Sequence, residues 1–434
     1  MPRAPLLSLL LLAAFTVPVA QTAPPAAPAR PTALQAQLDQ LLAAGAPGPS
    51  GRALPVHSGM VVLDAASGAA LYRRQAETPI TPASNMKLLS MTAALYRLGP
   101  DYWFSTGVTR SNPGAAVNHL TLSGIGDPSL RVSDGEHSLA GLARQVRARG
   151  ILQVGNVQVD GHMIAPDGWP LPDAETAVSA LPLDEGEDAR PDPTPTAALL
   201  RAGALFRREL QRAGVQVTGG VRLGRAGAEQ GVATTRSLPL TALVRLTLKR
   251  SDNRWAEQLY ARSGVDEHTP SWRPSTLAQA RTLQAAILAR LGVNTAALQI
   301  HDASGLSEQD RLTAAAVSQL LLGIYRHPLG TELAPEAAFR QRANLLIESL
   351  PQAGTGTATE QATLEGGTLA ARLPGLDVRA KTGTLVGASS LSGYVTTRSG
   401  RVLIFSILMD QYAGYGQSLR QLQDRIVTLL YTRG

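Results

Sequence analysis

The apolar positions after residue 32 divide the chain into helical and extended patterns. Leucines recur at helical spacing over residues 33–44, which predicts a short amphipathic helix. Two short apolar runs, 59–64 and 69–73, are joined by a turn that contains glycine, and this arrangement predicts a β-hairpin. The next pattern, over residues 84–98, is apolar on nearly all sides, so we expect a buried helix there.

The pattern changes between residues 99 and 235, where short alternating strands and helices are mixed with proline-rich loops. Such a mixture, set between two longer regular regions, indicates an inserted α/β domain. The pattern predicts strands at 104–109, 119–123, 154–159 and 215–223, and helices at 139–149 and 197–213.

Helical pattern returns after residue 236, and strands return only near the carboxyl end. We therefore expect the first hairpin and the last strands to form one antiparallel sheet. The prediction is an α+β fold, in which an antiparallel sheet and a helical subdomain form a discontinuous domain of residues 33–98 and 236–434 around the insert 99–235. Its later elements are helices at 239–260, 277–291, 313–327 and 418–431 and strands at 378–385, 389–396 and 402–409.

Residues 1–20 combine a charged start, an apolar core and a small-residue exit, which is typical of a secretory signal peptide. A Pro/Ala-rich linker follows at 21–32. The chain has no cysteine, which excludes a lipid-modified cysteine and any disulfide. We expect a protein secreted across the inner membrane into the periplasm or cell envelope, without a transmembrane span in the mature chain.

The formal charge of +7 over 434 residues comes from scattered arginines, without a Lys/Arg-rich run or an aromatic-studded basic stripe. We therefore expect no nucleic-acid partner and at most weak association with the membrane or the wall. Lys87, Lys249 and Lys381 are the only lysines among 40 basic residues. Lysine shifts its pKa readily when buried whereas arginine stays charged, so these positions indicate sites where an amine matters.

A serine and a lysine three residues apart stand at the start of the apolar helix. Pro82 disfavours helical geometry at Ala83, so the helix is expected to begin near Ser84. Ser84 and Lys87 then share one face within hydrogen-bonding reach. Burial disfavours a charged amine, so we expect a neutral Lys87 that can take the serine proton.

Two further motifs follow this S-x-x-K pair in the order S-D-N and K-T-G. Acyl transfer needs an activated hydroxyl, a proton relay, oxyanion donors and a charge for the substrate carboxylate. Ser84 is the expected nucleophile, Lys87 its base and Ser251 the proton relay, while Asn253 offers an amide to the substrate or holds Lys87. Lys381 and Thr382 are expected to bind the carboxylate, and Gly383 leaves the strand edge open for close approach of the substrate. The backbone N–H groups of Ser84 and Thr384 are the expected oxyanion donors.

With these motifs the chain resembles low-molecular-mass class C penicillin-binding proteins of the D-alanyl-D-alanine carboxypeptidase/endopeptidase family. The likeness covers nearly all of the mature chain and extends to residues 126–130, 301–307 and 350–357. Two departures are Ala303, where glycine is common, and Glu308, where arginine often follows.

The resemblance implies a serine β-lactamase/transpeptidase-like domain that carries the site and is split by the insert. It also implies peptidoglycan peptides as substrates, β-lactam antibiotics such as penicillin as inhibitors, and neither a cofactor nor a metal. In related proteins an acidic residue near the insert helps to read a substrate side-chain amine, and Asp127 is the candidate here; a turn-capping role before Pro128 is the alternative.

Other functions remain open at this point. A β-lactamase would use a glutamate for deacylation, and the segment after Asn253 offers Glu257 and the pair Asp266-Glu267. A non-catalytic penicillin-binding or wall-binding protein would have no reason to retain every motif residue. A zinc peptidase lacks an H-E-x-x-H motif, and a Ser-His-Asp hydrolase that used His301 lacks a G-x-S-x-G elbow.

Overall fold

The computed structural model describes residues 32–47, 53–164, 169, 177–184, 192–227, 229–265, 274–355, 366–414 and 416–434. The predicted signal peptide, all but the last residue of the predicted linker, and Asp266 and Glu267 lie outside the described residues.

The elements follow in chain order, and most agree with the sequence pattern within two residues. They are α1 (Ala33–Ala44), β1 (Ala46–Pro47), β2 (Ala53–Leu54), β3 (His57–Asp64), β4 (Ala70–Arg74), α2 (Met86–Leu98), β5 (Ser105–Arg110), β6 (Ala116–Gly124), α3 (Leu139–Ala148), β7 (Gln153–Asp160), α4 (Pro195–Arg212), β8 (Gln216–Val217), β9 (Val221–Leu223), β10 (Gln230–Arg236), α5 (Leu240–Arg250), α6 (Asn253–Ser263), α7 (Leu277–Arg290), α8 (Ala314–Arg326), α9 (Pro335–Arg340), α10 (Leu345–Glu348), β11 (Val378–Leu385), β12 (Ala388–Thr396), β13 (Val402–Asp410) and α11 (Gly416–Arg433).

A five-stranded antiparallel sheet in the order β11-β12-β13-β3-β4 joins the two ends of the chain, as the sequence predicts. Helix α8 packs on one face, where the Tyr394 hydroxyl donates to Leu321 O at 2.7 Å. Helix α11 covers the other face, where Leu391 and Val395 join its apolar side chains. Covering on both faces explains why β13 is buried along its whole length and β12 everywhere except at Thr396.

A six-stranded mixed sheet lies in the insert, with strand order β10-β5-β6-β7-β8 and β9 paired to β7. Its strands begin at Ser105 and end at Arg236, one residue beyond the predicted boundary of the insert. The predicted strand 215–223 is wrong as one element, because β8 and β9 are separate there. A Cβ at Gly219 would lie 2.4 Å from Gly155 O, so the chain between the two strands passes too close to β7 for a larger residue.

The predicted helix 239–260 is also interrupted, at Ser251 and Asp252. Ser251 ends α5 in the left-handed conformation, with φ 61° and ψ 35°. Asp252 begins α6 as its N-cap, because its side chain accepts from Trp255 N at 2.9 Å. The break turns the chain sharply at the S-D-N motif, and α5 and α6 both pack against α2, which carries the S-x-x-K lysine.

Candidate active site

Ser84 lies in a short 3-10 turn, Ala83–Asn85, that leads directly into α2. The preceding Ala83 has φ 47°, a left-handed conformation that costs a non-glycine residue about 1–2 kcal/mol. A neighbouring loop holds this turn closely, since a Cβ at Gly305 would lie 1.9 Å from Ala83 O. The nucleophile candidate therefore stands on a strained turn that tertiary packing fixes in place.

Lys87 is fully buried at the start of α2, and its amine lies within hydrogen-bonding distance of three different elements. Its Nζ lies 3.0 Å from Ser84 Oγ, as the i, i+3 spacing predicts. It also lies 2.6 Å from Asn253 Oδ1 at the start of α6 and 2.7 Å from the carbonyl oxygen of Ser304. Asn253 thus contacts Lys87, one of the two contacts expected for it, while the Ser304 carbonyl is absent from the sequence-based prediction.

The S-D-N turn brings a second serine to a second lysine. Lys381 Nζ donates to Ser251 Oγ at 2.9 Å and to Thr382 O at 2.7 Å. Lys381 is completely buried on β11. Burial lowers the pKa of the Lys381 amine well below its usual range, and the nearby Lys87 amine, whenever it is protonated, lowers it further. The three motifs therefore meet in one buried polar cluster.

Strand β11 packs directly against the turn that carries Ser84, with Gly383 at the contact. A Cβ at Gly383 would lie 2.8 Å from Pro82 O and 3.0 Å from Ser84 N, so a side chain larger than glycine would displace the turn. Ser390 on the neighbouring strand β12 donates to Pro82 O at 2.6 Å. Asn85 Nδ2 donates to Lys381 O at 3.3 Å and also contacts the Ser390 hydroxyl.

Asn85 and Ser390 were not identified from the sequence, although Asn85 lies inside the S-x-x-K motif. Both are completely buried polar residues, and together they join the turn of Ser84 to the strand of Lys381. An interior polar residue has to find hydrogen-bond partners, which gives these two side chains a fixed place.

The two threonines of the K-T-G-T segment are less buried than Lys381 and Gly383. Thr382 is half-buried, and its hydroxyl lies 2.7 Å from the hydroxyl of Thr368. Thr384 is exposed. Both are therefore accessible from solvent beside the buried Lys381.

Lys249, the third lysine, is also buried. Its Nζ donates to Leu350 O at 2.8 Å, and the adjacent Pro351 O accepts from Ala380 N at 3.0 Å. Lys249 thereby ties the end of α5 to the segment that pairs with β11. Its position beside the S-D-N motif is explained by this support of the Lys381 strand.

Asp127 lies within the insert, and its contacts are local. Its Oδ1 accepts from Ser129 N at 2.9 Å and from Ser129 Oγ at 2.7 Å. Its Oδ2 lies 3.0 Å from His137 Nε2. The carboxylate is almost completely buried by these neighbours. Its role in reading a substrate amine stays a prediction, and the contacts match those of a turn-capping aspartate.

The residues behind the two remaining catalytic alternatives have other contacts. Glu257 Oε1 accepts from the backbone N–H groups of Ala303 and Ser304 at 3.0 and 2.8 Å, so it is bound to the backbone. The backbone N–H of His301, rather than its ring, donates to Asp310 at 2.7 Å. Burial, with the nearby Asp302, raises the pKa of Asp310 to about 9. A glutamate whose oxygens are bound to backbone N–H groups differs from one that activates a deacylating water, and the His301 contact does not form a Ser-His-Asp relay.

The described ranges contain neither a candidate metal site nor a candidate membrane span. Within them, no group of three or more His, Cys, Asp or Glu side chains is arranged to hold a metal ion. None of the helices described combines the length and the apolar character needed to cross a bilayer.

Known proteins resemble this chain in both sequence and fold. The family model of D-Ala-D-Ala carboxypeptidase 3 (S13) matches residues 34–186 and 195–432. The D-alanyl-D-alanine carboxypeptidase of Actinomadura sp. (strain R39) is 31% identical over 82% of this chain and 78% of that protein.

Among solved structures, penicillin-binding protein 4 of Haemophilus influenzae, which has also been solved with a β-lactam, has a TM-score of 0.69 at 19% identity and covers 92% of this chain and 99% of that one. The predatory peptidoglycan endopeptidase Bd3459 of Bdellovibrio bacteriovorus has a TM-score of 0.57 at 17% identity, over 87% of this chain and 93% of that one.

Fold, motif order and family match together define a low-molecular-mass class C penicillin-binding protein with an α+β transpeptidase-like fold. The chain belongs to the D-Ala-D-Ala carboxypeptidase 3 (S13) family, whose model matches nearly all of the described residues. The family predicted from the three motifs is therefore confirmed.

Proposed function

We propose that this chain is a serine D,D-peptidase of peptidoglycan stem peptides that acts through an acyl-enzyme on Ser84. The observation that carries the proposal is the contact of 3.0 Å between the buried Lys87 amine and Ser84 Oγ. A nucleophile within hydrogen-bonding reach of a base that a third group orients is the general arrangement of covalent catalysis. Asn253, at 2.6 Å from Lys87 Nζ, supplies that orienting contact.

In the acylation step, the two N–H groups of the neutral Lys87 amine donate to Asn253 Oδ1 and Ser304 O, and its lone pair takes the proton of Ser84 as Oγ attacks the carbonyl carbon of the penultimate D-alanine. The negative charge that develops on the carbonyl oxygen is stabilised by the backbone N–H groups of Ser84 and Thr384. Collapse of the tetrahedral intermediate breaks the peptide C–N bond. The product is an ester on Ser84 and a departing D-alanine that needs one proton.

The proton that Lys87 took from Ser84 passes through the Ser251 hydroxyl to the leaving nitrogen, so Lys87 and Ser251 end the step in their starting forms. Ser251 belongs to the same cluster, with its hydroxyl 2.9 Å from Lys381 Nζ. Lys381 and Thr382 bind the terminal carboxylate of the substrate. A carboxylate beside Lys381 offsets the burial that lowers the pKa of this lysine. In deacylation, Lys87 takes a proton from a water as the water oxygen bonds to the ester carbonyl carbon. The bond from Oγ to that carbon then breaks, Lys87 gives the proton to Ser84, and the acyl group leaves as a carboxylic acid.

Cleavage of peptide cross-links belongs to the same proposal, because a cross-link is also an amide whose acyl side is a D-alanine. The fold shared with a peptidoglycan endopeptidase supports this second activity. β-Lactams would acylate Ser84 and leave no small product to diffuse away, which makes them inhibitors. A site for wall peptides implies action in the periplasm or cell envelope, in agreement with the predicted signal peptide.

The test is release of D-alanine from a pentapeptide that ends in D-Ala-D-Ala, and cleavage of cross-linked muropeptides, by the wild-type protein and by Ser84→Ala. A matched control is Ser133→Ala, which changes an exposed serine of the insert. We expect release by the wild type and the control, and at least about a thousandfold loss in Ser84→Ala. Equal activity of Ser84→Ala and the wild type would exclude the acyl-enzyme on Ser84.

A further inference from the structure

A loop of residues 302–307 forms the rear wall of the nucleophile site. Its Ser304 carbonyl accepts from Lys87 Nζ at 2.7 Å. Its Ala303 carbonyl accepts from Ser90 Oγ, one turn further along α2, at 2.7 Å. Gly305 packs so closely on Ala83 O that no side chain fits. The position of this loop therefore determines where the Lys87 amine points.

One side chain holds the loop from behind. Glu257 Oε1 accepts from Ala303 N at 3.0 Å and from Ser304 N at 2.8 Å, and Oε2 accepts from Ala303 N at 3.1 Å. Glu257 is 3% exposed, so water does not replace it as the acceptor for these N–H groups. The backbone of Ser304 is thus fixed at its N–H by Glu257 while its carbonyl is bound by Lys87.

Helix α6 carries both supports of Lys87. Asn253, its first residue, contacts Lys87 directly, and Glu257 lies one helical turn later on the same side. The same rigid element therefore controls two of the acceptors around the lysine amine. A shift of either acceptor would change the direction of the amine relative to Ser84.

We infer that Glu257 is a positioning residue for catalysis, which aims the Ser304 carbonyl at Lys87 and thereby orients the base toward Ser84. The inference rests on the proposed function, because it assigns Lys87 the role of base. It makes the reach of the Glu257 side chain, rather than its charge, the property that matters.

The environment of Glu257 favours its uncharged form. Burial raises the pKa of Glu257 to about 8, with the nearby Asp302 contributing in the same direction. The two ionisable groups that act electrostatically on Glu257 are Asp302, which raises its pKa, and Lys87, which lowers it. Glutamine has the shape of a neutral glutamic acid, and its single carbonyl oxygen can accept from both N–H groups that now contact Oε1.

Two substitutions separate reach from charge. Glu257→Gln keeps the length of the side chain and an acceptor oxygen but cannot ionise. Glu257→Asp can ionise but is one methylene shorter, so its oxygens no longer reach Ala303 N and Ser304 N. A matched control is Glu209→Gln, which changes a glutamate of α4 that is 4% exposed and pairs with Arg212 at 2.6 Å.

The measurement is the reaction of each purified, folded variant with a fluorescent penicillin, resolved into the constant for reversible binding and the rate constant for acylation. We expect Glu257→Gln and the control to acylate within about threefold of the wild type. Glu257→Asp should acylate at least about thirtyfold more slowly with unchanged reversible binding, since misplacement by about 1 Å can cost about a hundredfold in rate.

The reverse order of the two variants would show that charge matters and would overturn the inference. The inference would also be overturned if Glu257→Asp acylated at the wild-type rate, or if a smaller fraction of folded protein fully explained its slower reaction. Failure of the proposed function looks different, because the wild type itself would then form no adduct. Should Glu257→Asp not fold, Ser90→Ala takes its place: it removes the other anchor of Ala303, and the inference requires slower acylation there too.

Discussion

The two sides of the site hold their lysines in different ways. The helix wall is the turn at Ser84 with α2, and the strand wall is β11. On the helix wall, Lys87 is bound by a hydroxyl, an amide oxygen and a backbone carbonyl from three separate elements. On the strand wall, Lys381 contacts the Ser251 hydroxyl and the carbonyl of its own neighbour, Thr382. Asn253 and Ser304 fix the direction of the Lys87 amine relative to Ser84 Oγ, as a base requires, whereas the pKa of Lys381 is lowered by burial.

This difference explains how one buried cluster can contain two amines. Two positive charges in a low-dielectric site repel each other, and the lowered pKa of the buried Lys381 relieves this, because a neutral amine carries no charge. The Lys381 amine donates to a hydroxyl and a backbone carbonyl, neither of which is charged. A substrate that ends in a carboxylate supplies the missing charge. The helix wall is therefore complete without substrate, and the strand wall is completed by it.

The largest difference between the helix wall and the strand wall is expected in the acylation rate when arginine replaces Lys87 or Lys381. Lys87→Arg keeps a positive charge but cannot act as a base, so acylation by penicillin should fall at least about a thousandfold. Lys381→Arg should lose less, because a guanidinium still binds a carboxylate. Stopped-flow labelling measures both rates, and Lys249→Arg controls for a bulky cation at a buried lysine. Equal losses at the two positions would remove the distinction.

A smaller effect sharpens the assignment of Lys381 to the substrate carboxylate. For the wild type, a peptide ending in D-Ala-D-Ala should be preferred over its carboxamide. Lys381→Met should reduce this preference by about 10- to 100-fold, which corresponds to a charge-assisted hydrogen bond of about 1.5–3 kcal/mol. The ratio of kcat/KM for the two peptides measures it. An unchanged ratio in Lys381→Met would place carboxylate recognition elsewhere.

The helix wall also predicts how stability depends on pH. Glu257 has a folded pKa of about 8 against about 4.5 when unfolded, so the folded state binds the extra proton between these values. Its stabilising contribution is complete below about pH 4.5 and is lost as the pH rises through about 8. The difference in unfolding free energy between the wild type and Glu257→Gln should therefore fall with pH, by at most about 1.4 kcal/mol per unit. Urea titrations at several pH values measure this difference, and a constant value would contradict it.

The smallest effect concerns the insert. Asp127→Asn keeps the size of the side chain but weakens the contacts with Ser129 and His137. We expect a loss of about 1 kcal/mol in stability with kcat/KM nearly unchanged. Thermal unfolding and peptide hydrolysis measure the two quantities. A selective loss on stem peptides that carry a free side-chain amine would instead give Asp127 the recognition role predicted from the sequence.

The fold was predictable wherever burial leaves a regular pattern of apolar residues in the sequence. Strands β3 and β13 contain long apolar runs because they lie in the middle of a covered sheet, and their bounds agree with the pattern within two residues. The break at Ser251 was not predictable in this way. Apolar spacing continues across it, and the hydroxyl of the left-handed Ser251 contacts Lys381, which is 130 positions further along the chain.

The residues of the candidate site also fall into a group that the sequence predicts and a group that it does not. Side chains that perform chemistry have characteristic types and spacing, so Ser84, Lys87, Ser251, Asn253 and Lys381 were found from the sequence, and the structure brings them together. The Ser304 carbonyl was missed because a backbone acceptor has no residue signature. Glu257 was considered only as a deacylating residue, since its partners are backbone groups 46 and 47 positions away.

The most direct test of the central claim is to label the protein with penicillin, digest it and identify the modified residue by mass spectrometry. The account predicts one penicilloyl group per molecule, attached to Ser84 and absent from Ser84→Ala. Attachment to Ser251 or to any other serine, or an unmodified wild-type protein, would contradict it.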